Sequence, residues 1–250
     1  MNLIFCRVIV PILLSTLLLT ACGDTECTCE NPPTDVERPS GKLLFSSKDA
    51  AGLSQVYVTP VGDTAPGMVL TTAATNHFQP AWSRDGRRIT YVREDEAEVT
   101  GVPFRGRNVY VMNSDGSGVQ RLYDCARFGA DCAWPQFGPD GNVWFSAQVS
   151  RDQTSNSSYS HIFRISPTGG TATLWEGTLE ESCDNPYFRF NGAQMLWEVG
   201  VIATCGGQGA GVYTGRYDTV RPGAYGTRLT PSGNAGGFGT PTFNSAGTRI

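Results

Sequence analysis

The chain has 250 residues, 40% of them hydrophobic and 17% charged, and a formal net charge of −4. That balance excludes a disordered polar chain, and the acidic excess excludes a basic surface for nucleic acid. With 30 glycines and 15 prolines it promises many turns rather than long helices, over a length that suits one large domain with ample core.

Residues 1–21 read as a secretory signal. Arg7 supplies the positive charge, and residues 8–19 (VIVPILLSTLLL) form an apolar run. The run is short of the ~20 residues that a membrane-spanning helix needs. It ends in Leu19-Thr20-Ala21-Cys22, which resembles the bacterial lipobox. That resemblance implies cleavage between Ala21 and Cys22 and acylation of Cys22, palmitate being one of the acyl chains. Several chains anchor stably where one alone binds marginally. Gly23, not an aspartate, follows the cysteine. By the rule for such lipoproteins this favours the outer membrane over the inner. Residues 22–40 show no hydrophobic period and read as a flexible tether.

Residues 41–250 carry three recurring phrases. The first is proline, one residue, an aromatic, a glycine turn and an apolar strand. It runs Pro80-Ala-Trp-Ser-Arg-Asp-Gly-Arg-Arg-Ile89 and returns from Pro135, Pro186 and Pro241. The second is an alternating strand around Tyr57, Tyr110, Phe163 and Tyr213, and the third closes each unit at Leu70, Leu122, Leu174 and Leu229. Three phrases sharing a period of about 53 residues mark a repeat architecture. Each unit holds four short strands: A at the Pro-x-aromatic, B after the Asp/Asn-Gly turn, C at the Tyr/Phe, and D at the Leu. Tight A–B and C–D turns make each unit an antiparallel sheet, and such sheets repeated about an axis form a β-propeller. The predicted class is therefore all-β.

The stretches Val109-Tyr-Val-Met-Asn-Ser-Asp-Gly-Ser-Gly-Val-Gln-Arg-Leu122 and Pro80–Ile89 resemble the repeat of TolB-like β-propellers, a WD-repeat-like family. The family's ordinary repeat is shorter, so the surplus must lie in loops. The long segments are 93–107, 124–133, 148–160 and 177–185, all of them B–C or D–A connections. Because strands alternate in direction, these share one rim, and the tight turns share the other. Unit 1 lacks strand A, and the last copy supplies an A strand at Pro241. About four blades are covered. The family usually has six, so an incomplete ring is favoured over a closed four-bladed one.

Six cysteines remain after the signal and the lipidated Cys22. Four fall on the long-loop rim, and the expected staples are Cys125 with Cys132 and Cys183 with Cys205. Cys27-Thr-Cys29 is a poor metal-ligand pair. His77 and His161 are the only histidines, each without a triad partner in sight, and no G-x-S-x-G elbow occurs. No phosphate loop is available to Lys42 or Lys48, the only lysines. No catalytic residue, metal or cofactor is expected. The acidic run Glu94-Asp-Glu-Ala-Glu98 reads as a solvated loop face that Arg105 and Arg107 neutralise, and Trp82, Trp134, Phe137 and Tyr187 read as packing between blades. The expected binding face is Phe104, Arg105, Arg107, Phe128 and Tyr159, aromatics among adaptable polar residues. The sequence thus predicts an exported cell-envelope lipoprotein whose propeller binds a protein or peptide without chemistry. It would touch the membrane only through its lipid. The alternatives are an enzyme acting on carbohydrate or peptide through a channel site, and a structural scaffold. Oligomeric state stays open.

Overall fold

The computed structural model describes residues 41–63, 67–99, 101–128, 130–150, 158–175, 187–199, 209–220, 226–231 and 241–244. Ala21, Cys22, the tether, Cys27, Cys29, Cys183 and Cys205 lie outside them.

The described residues form four antiparallel sheets in chain order. Blade 1 has three strands, β1 (Lys42–Lys48), β2 (Ser54–Pro60) and β3 (Met68–Val69). Blade 2 has β4 (His77–Trp82), β5 (Arg88–Val99), β6 (Val102–Asn113) and β7 (Gln120–Tyr123). Blade 3 has β8 (Cys132–Phe137), β9 (Val143–Ser150), β10 (Ser158–Ile165) and β11 (Thr173–Leu174). Blade 4 has β12 (Phe188–Asn191), β13 (Gln194–Val199), β14 (Gly211–Arg216) and β15 (Thr227–Arg228). Within each sheet the strands meet their sequence neighbours only, the meander of a propeller blade. The A strand that blade 1 lacks in sequence is also missing from its described sheet. The A–B turn of blade 2 closes on Gly86 at φ 68°, a left-handed conformation that a Cβ disfavours.

Side-chain alternation distributes each middle strand between two neighbours. On β5, Ile89 and Tyr91 join Val56, Val58 and Leu70 of blade 1, while Val92 joins Val143 and Phe145 of blade 3. On β6, Tyr110 and Met112 face blade 1, and Val109 and Val111 face blade 3. On β9, Phe145 packs toward blade 2, and Trp144 packs with Phe188, Met195 and Trp197 of blade 4. The hydrophobic core therefore lies between blades. This is why the middle strands are apolar on both faces, a pattern otherwise typical of buried parallel strands.

Two expectations need amending. Segment 93–107 was expected as a long loop; it is the upper half of the β5–β6 hairpin, paired without a break from Arg88↔Asn113 to Val99↔Val102. Segment 148–160 likewise begins and ends as strand, with Ser150 opposite Ser158. The rim asymmetry also does not extend to blade 1, whose B–C connection is short. There the Asp49 carboxylate accepts the amides of Ala51 and Leu53 and closes the turn. Among the described residues the extended B–C hairpins belong to blades 2 and 3.

Candidate functional site

The inner strand β4 pairs with β5 only as far as His77↔Arg93. Residues 94–99 and their partners on β6 continue past it as a two-stranded ribbon, about 20 Å long at ~3.3 Å per residue. The acidic run lies on this ribbon, and its charges are divided. Glu96 pairs with Arg105 at 2.8 Å, both exposed. Glu94 accepts the Asn76 amide at 2.8 Å. Asp95 turns inward and accepts Arg93 Nε, Asn108 Nδ2 and the Tyr110 hydroxyl, each at 2.7 Å. Two open clefts flank the ribbon. One, of about 550 Å³, is lined by Glu96–Glu98 and Pro103–Arg105; the other, of about 370 Å³, by Ala73–Thr75, Arg93–Glu96 and Arg105.

The loop after β7 is built against this ribbon. Asp124 caps a single 3-10 turn, Ala126–Phe128, by accepting the Arg127 amide. The expected disulfide Cys125–Cys132 closes the loop, with Cα atoms 5.7 Å apart. Asn108 accepts the Ala126 amide at 2.9 Å, and Asp131 accepts both the backbone amide (2.8 Å) and a guanidinium nitrogen (3.1 Å) of Arg107. Gly106 makes the close approach possible. A Cβ there would lie 2.8 Å from the Ala130 carbonyl oxygen and 3.1 Å from Ala126 Cα. Phe128 stands on this loop 61% exposed, with its inner face on Tyr123 at 6.4 Å between ring centroids. Tyr123 in turn packs on Phe145 and Phe163. The exposed ring is thus the outer end of an aromatic stack rooted in the core between blades 2 and 3.

Beneath the ribbon lies a buried polar cluster. His77, Tyr91 and Tyr110 stack in series at 5.6 and 5.7 Å. His77 is 2% exposed, and its Nδ1 has no hydrogen-bond partner. Burial, then the Arg93 charge, holds its pKa below the ordinary histidine value. Burial pushes the Tyr91 phenol up to about 12, and burial with the Asp95 hydrogen bond raises Tyr110 further. These groups keep their neutral forms and act as a framework for the ribbon's base.

The predicted face is thus partly assembled. Arg105 and Phe128 are exposed on the ribbon and the stapled loop. Phe104 is half-buried on β6 opposite Ala97, and Arg107 is drawn onto Asp131 rather than the acidic run. Tyr159 stands opposite Val149 in the β9–β10 register. The sequence reading missed Asp131 and Asn108, whose partners come from other elements, and it counted Asp95 with the solvated run although its carboxylate turns inward. The buried His161 sits on β10 of blade 3, a blade away from His77. Among the described residues no group of three or more His, Cys, Asp or Glu side chains is placed to hold a metal ion.

The inner strands carry a second arrangement. Gln79 (φ 51°) and Trp134 (φ 53°) are non-glycine residues in the left-handed region, each directly before a proline. They sit where the β4–β5 and β8–β9 registers slip. Gln79 Oε1 accepts the Trp134 amide at 2.7 Å and ties the two bulges together, and Trp134 meets Tyr187 of blade 4 edge-on at 5.1 Å. Aromatics of the inner strands therefore do join blades, as expected. A cleft of about 290 Å³ runs along these strands, lined by Gln79–Trp82, Trp134–Phe137 and Arg189.

No protein-family model matches the chain, and no curated protein matches it. Solved structures do. A TolB candidate from Agrobacterium tumefaciens is 16% identical, with a TM-score of 0.49 over 74% of this chain and 59% of that one. Hydrazine synthase of Kuenenia stuttgartiensis is 16% identical, with a TM-score of 0.51 over 72% of this chain and 31% of that one. An oligogalacturonate lyase in complex with manganese is 14% identical, with a TM-score of 0.43 over 67% of this chain and 40% of that one. This chain spans about three fifths of the first protein and under a third of the second. At these identities the likeness is one of fold, and the four antiparallel meander sheets are blades of a β-propeller.

Proposed function

We propose that the chain is an exported, lipid-anchored envelope protein whose propeller binds a protein or peptide through the β5–β6 ribbon and the stapled loop beside it, without catalysing a reaction. The observation that carries this reading is Phe128. A large aromatic ring is 61% exposed, yet it is held by a disulfide-closed loop and by stacking on Tyr123. A preorganised aromatic with the Arg127 guanidinium 5.9 Å over its ring loses little entropy on binding and has the composition of an interface anchor. Support for export comes from the lipobox-like Leu19–Cys22 and from the disulfide, which suits an oxidising compartment. Strand β1, which follows the tether, starts on the opposite rim.

A photoreactive phenylalanine at position 128, expressed in the native envelope, should give a discrete adduct, and the same group at Arg84 on the tight-turn rim should not. Equal labelling from both positions, or none, rejects the face. Phe128→Ala should fold normally and bind the captured partner at least tenfold more weakly. Chemical turnover of that partner by the wild type would favour the enzyme reading. Anchoring is tested apart from this: Cys22→Ala should abolish fatty-acid labelling and leave uncleaved precursor.

A further inference from the structure

The inner-strand cleft is separate from the ribbon, and it occupies the half of β4 and β8 that leads into the tight turns of the other rim. Two walls are aromatic and proline-rich, Pro80 to Trp82 and Trp134 to Phe137. The third contributes one charge, Arg189 on β12. Its guanidinium lies 4.8 Å over the Tyr187 ring, and Tyr187 is itself held edge-on against Trp134. Among the described residues no carboxylate lies within ion-pair distance of Arg189, although Arg93, Arg105, Arg107, Arg121, Arg164 and Arg216 each have one. A guanidinium oriented by the Tyr187 ring and by a hydrogen bond with its hydroxyl, and with no carboxylate partner, is a preformed receptor for a planar anion. A second observation points the same way. Both walls are bent by Gln79 and Trp134 in conformations that non-glycine residues avoid before proline, at equivalent positions of two blades. Repeated strain of this kind gathers where a ligand is gripped.

We propose that this cleft is a binding site for a single carboxylate carried on an apolar group, with Arg189 taking the carboxylate and the Trp82, Trp134 and Phe137 walls taking the apolar part. One guanidinium matches one charge, so a dianionic phosphate is the poorer ligand. The carboxylate can come from the end of a peptide or from an acidic sugar, and the site does not depend on the ribbon's partner.

Tryptophan fluorescence of the full chain reads binding directly, because Trp82 and Trp134 line the cleft. The probes are N-acetyl-phenylalanine, its amide, glucuronate, glucose and inorganic phosphate, each raised to about 10 mM. At least one acid should change the fluorescence saturably while its uncharged counterpart and phosphate do not, and the better acid identifies the source. Arg189→Gln should weaken that binding at least tenfold, Arg189→Lys should weaken it less, and Arg105→Gln on the ribbon should leave it unchanged. Should Arg189→Gln fail to fold, the acid-over-amide preference of the wild type decides alone. Absence of saturable binding by either acid, equal binding of acid and uncharged counterpart, phosphate binding as tight as the acid's, or full binding by a folded Arg189→Gln protein would each overturn the proposal.

Discussion

His77 couples the ribbon's base to pH. Its neutral form is favoured in the folded state, with Arg93 and Asp95 as its charged neighbours. The unfolded chain therefore binds the extra proton first. Stability from this residue is complete above the ordinary value of 6.5 and is lost as pH falls through it toward the depressed folded pKa. Melting temperatures recorded between pH 7.5 and 5.5 should fall for the wild type and fall less for His77→Gln; parallel curves would remove His77 as the cause. Gly106 is a second residue whose environment leaves little latitude. Gly106→Val drives a side chain into the Ala130 carbonyl and the Phe104 ring. Overpacking of this kind costs about 1–3 kcal/mol. Urea unfolding should show that loss, together with faster proteolysis between Cys125 and Cys132, since the loop can no longer seat on β6.

Among the elements, the stapled loop and the ribbon form one device. The Cys125–Cys132 bond spans a sequence separation of 7, and a closure of that size is worth roughly 2–3 kcal/mol in the loop-entropy model. The double variant Cys125→Ser/Cys132→Ser should lose about that much without reductant and respond less to reductant than the wild type, which loses it only on reduction. An equal response of both proteins to reductant would place the sensitive bond elsewhere. The ion pair Arg107–Asp131 is about one-third exposed on each side, so solvent screens it and its contribution is small. Its consequence is positional: it sets the loop on the ribbon and so fixes where Phe128 stands.

For the whole molecule, stability resides between blades rather than within them. Phe145 and Trp144 are consecutive on β9, both 0% exposed, and belong to different interfaces. Truncation of either to Ala should cost about 3–5 kcal/mol. Because the two side chains share no cluster, their effects in the double variant should add to within about 0.5 kcal/mol despite their adjacency. A coupling well above 1 kcal/mol would show that the two interfaces act as one core.

The sequence by itself determined the repeat, the four-strand unit, the tight turns and the loop in which Cys125 and Cys132 lie. These depend on local rules: alternation with period two, Asp-Gly and Asn-Gly turns, and recurrence of Pro-x-aromatic. The pairing of Cys125 with Cys132 was legible for the same reason, since both sit in one short loop. The strand character of residues 94–99 was hidden because Glu94, Glu96 and Glu98 alternate with residues that are not all apolar. A ribbon standing clear of the inner strand, covered by a polar stapled loop rather than by a neighbouring sheet, has no apolar core to impose an apolar period. Only the tertiary structure decided that Arg107 meets Asp131, that Phe128 is an exposed ring on a buried stack, that Gln79 and Trp134 are bent toward each other, and that Arg189 stands beside them without a carboxylate partner among the described residues. Each of these joins residues of different blades or distant elements. The angle at which one sheet packs on the next sets such distances, and no local period in the chain encodes it.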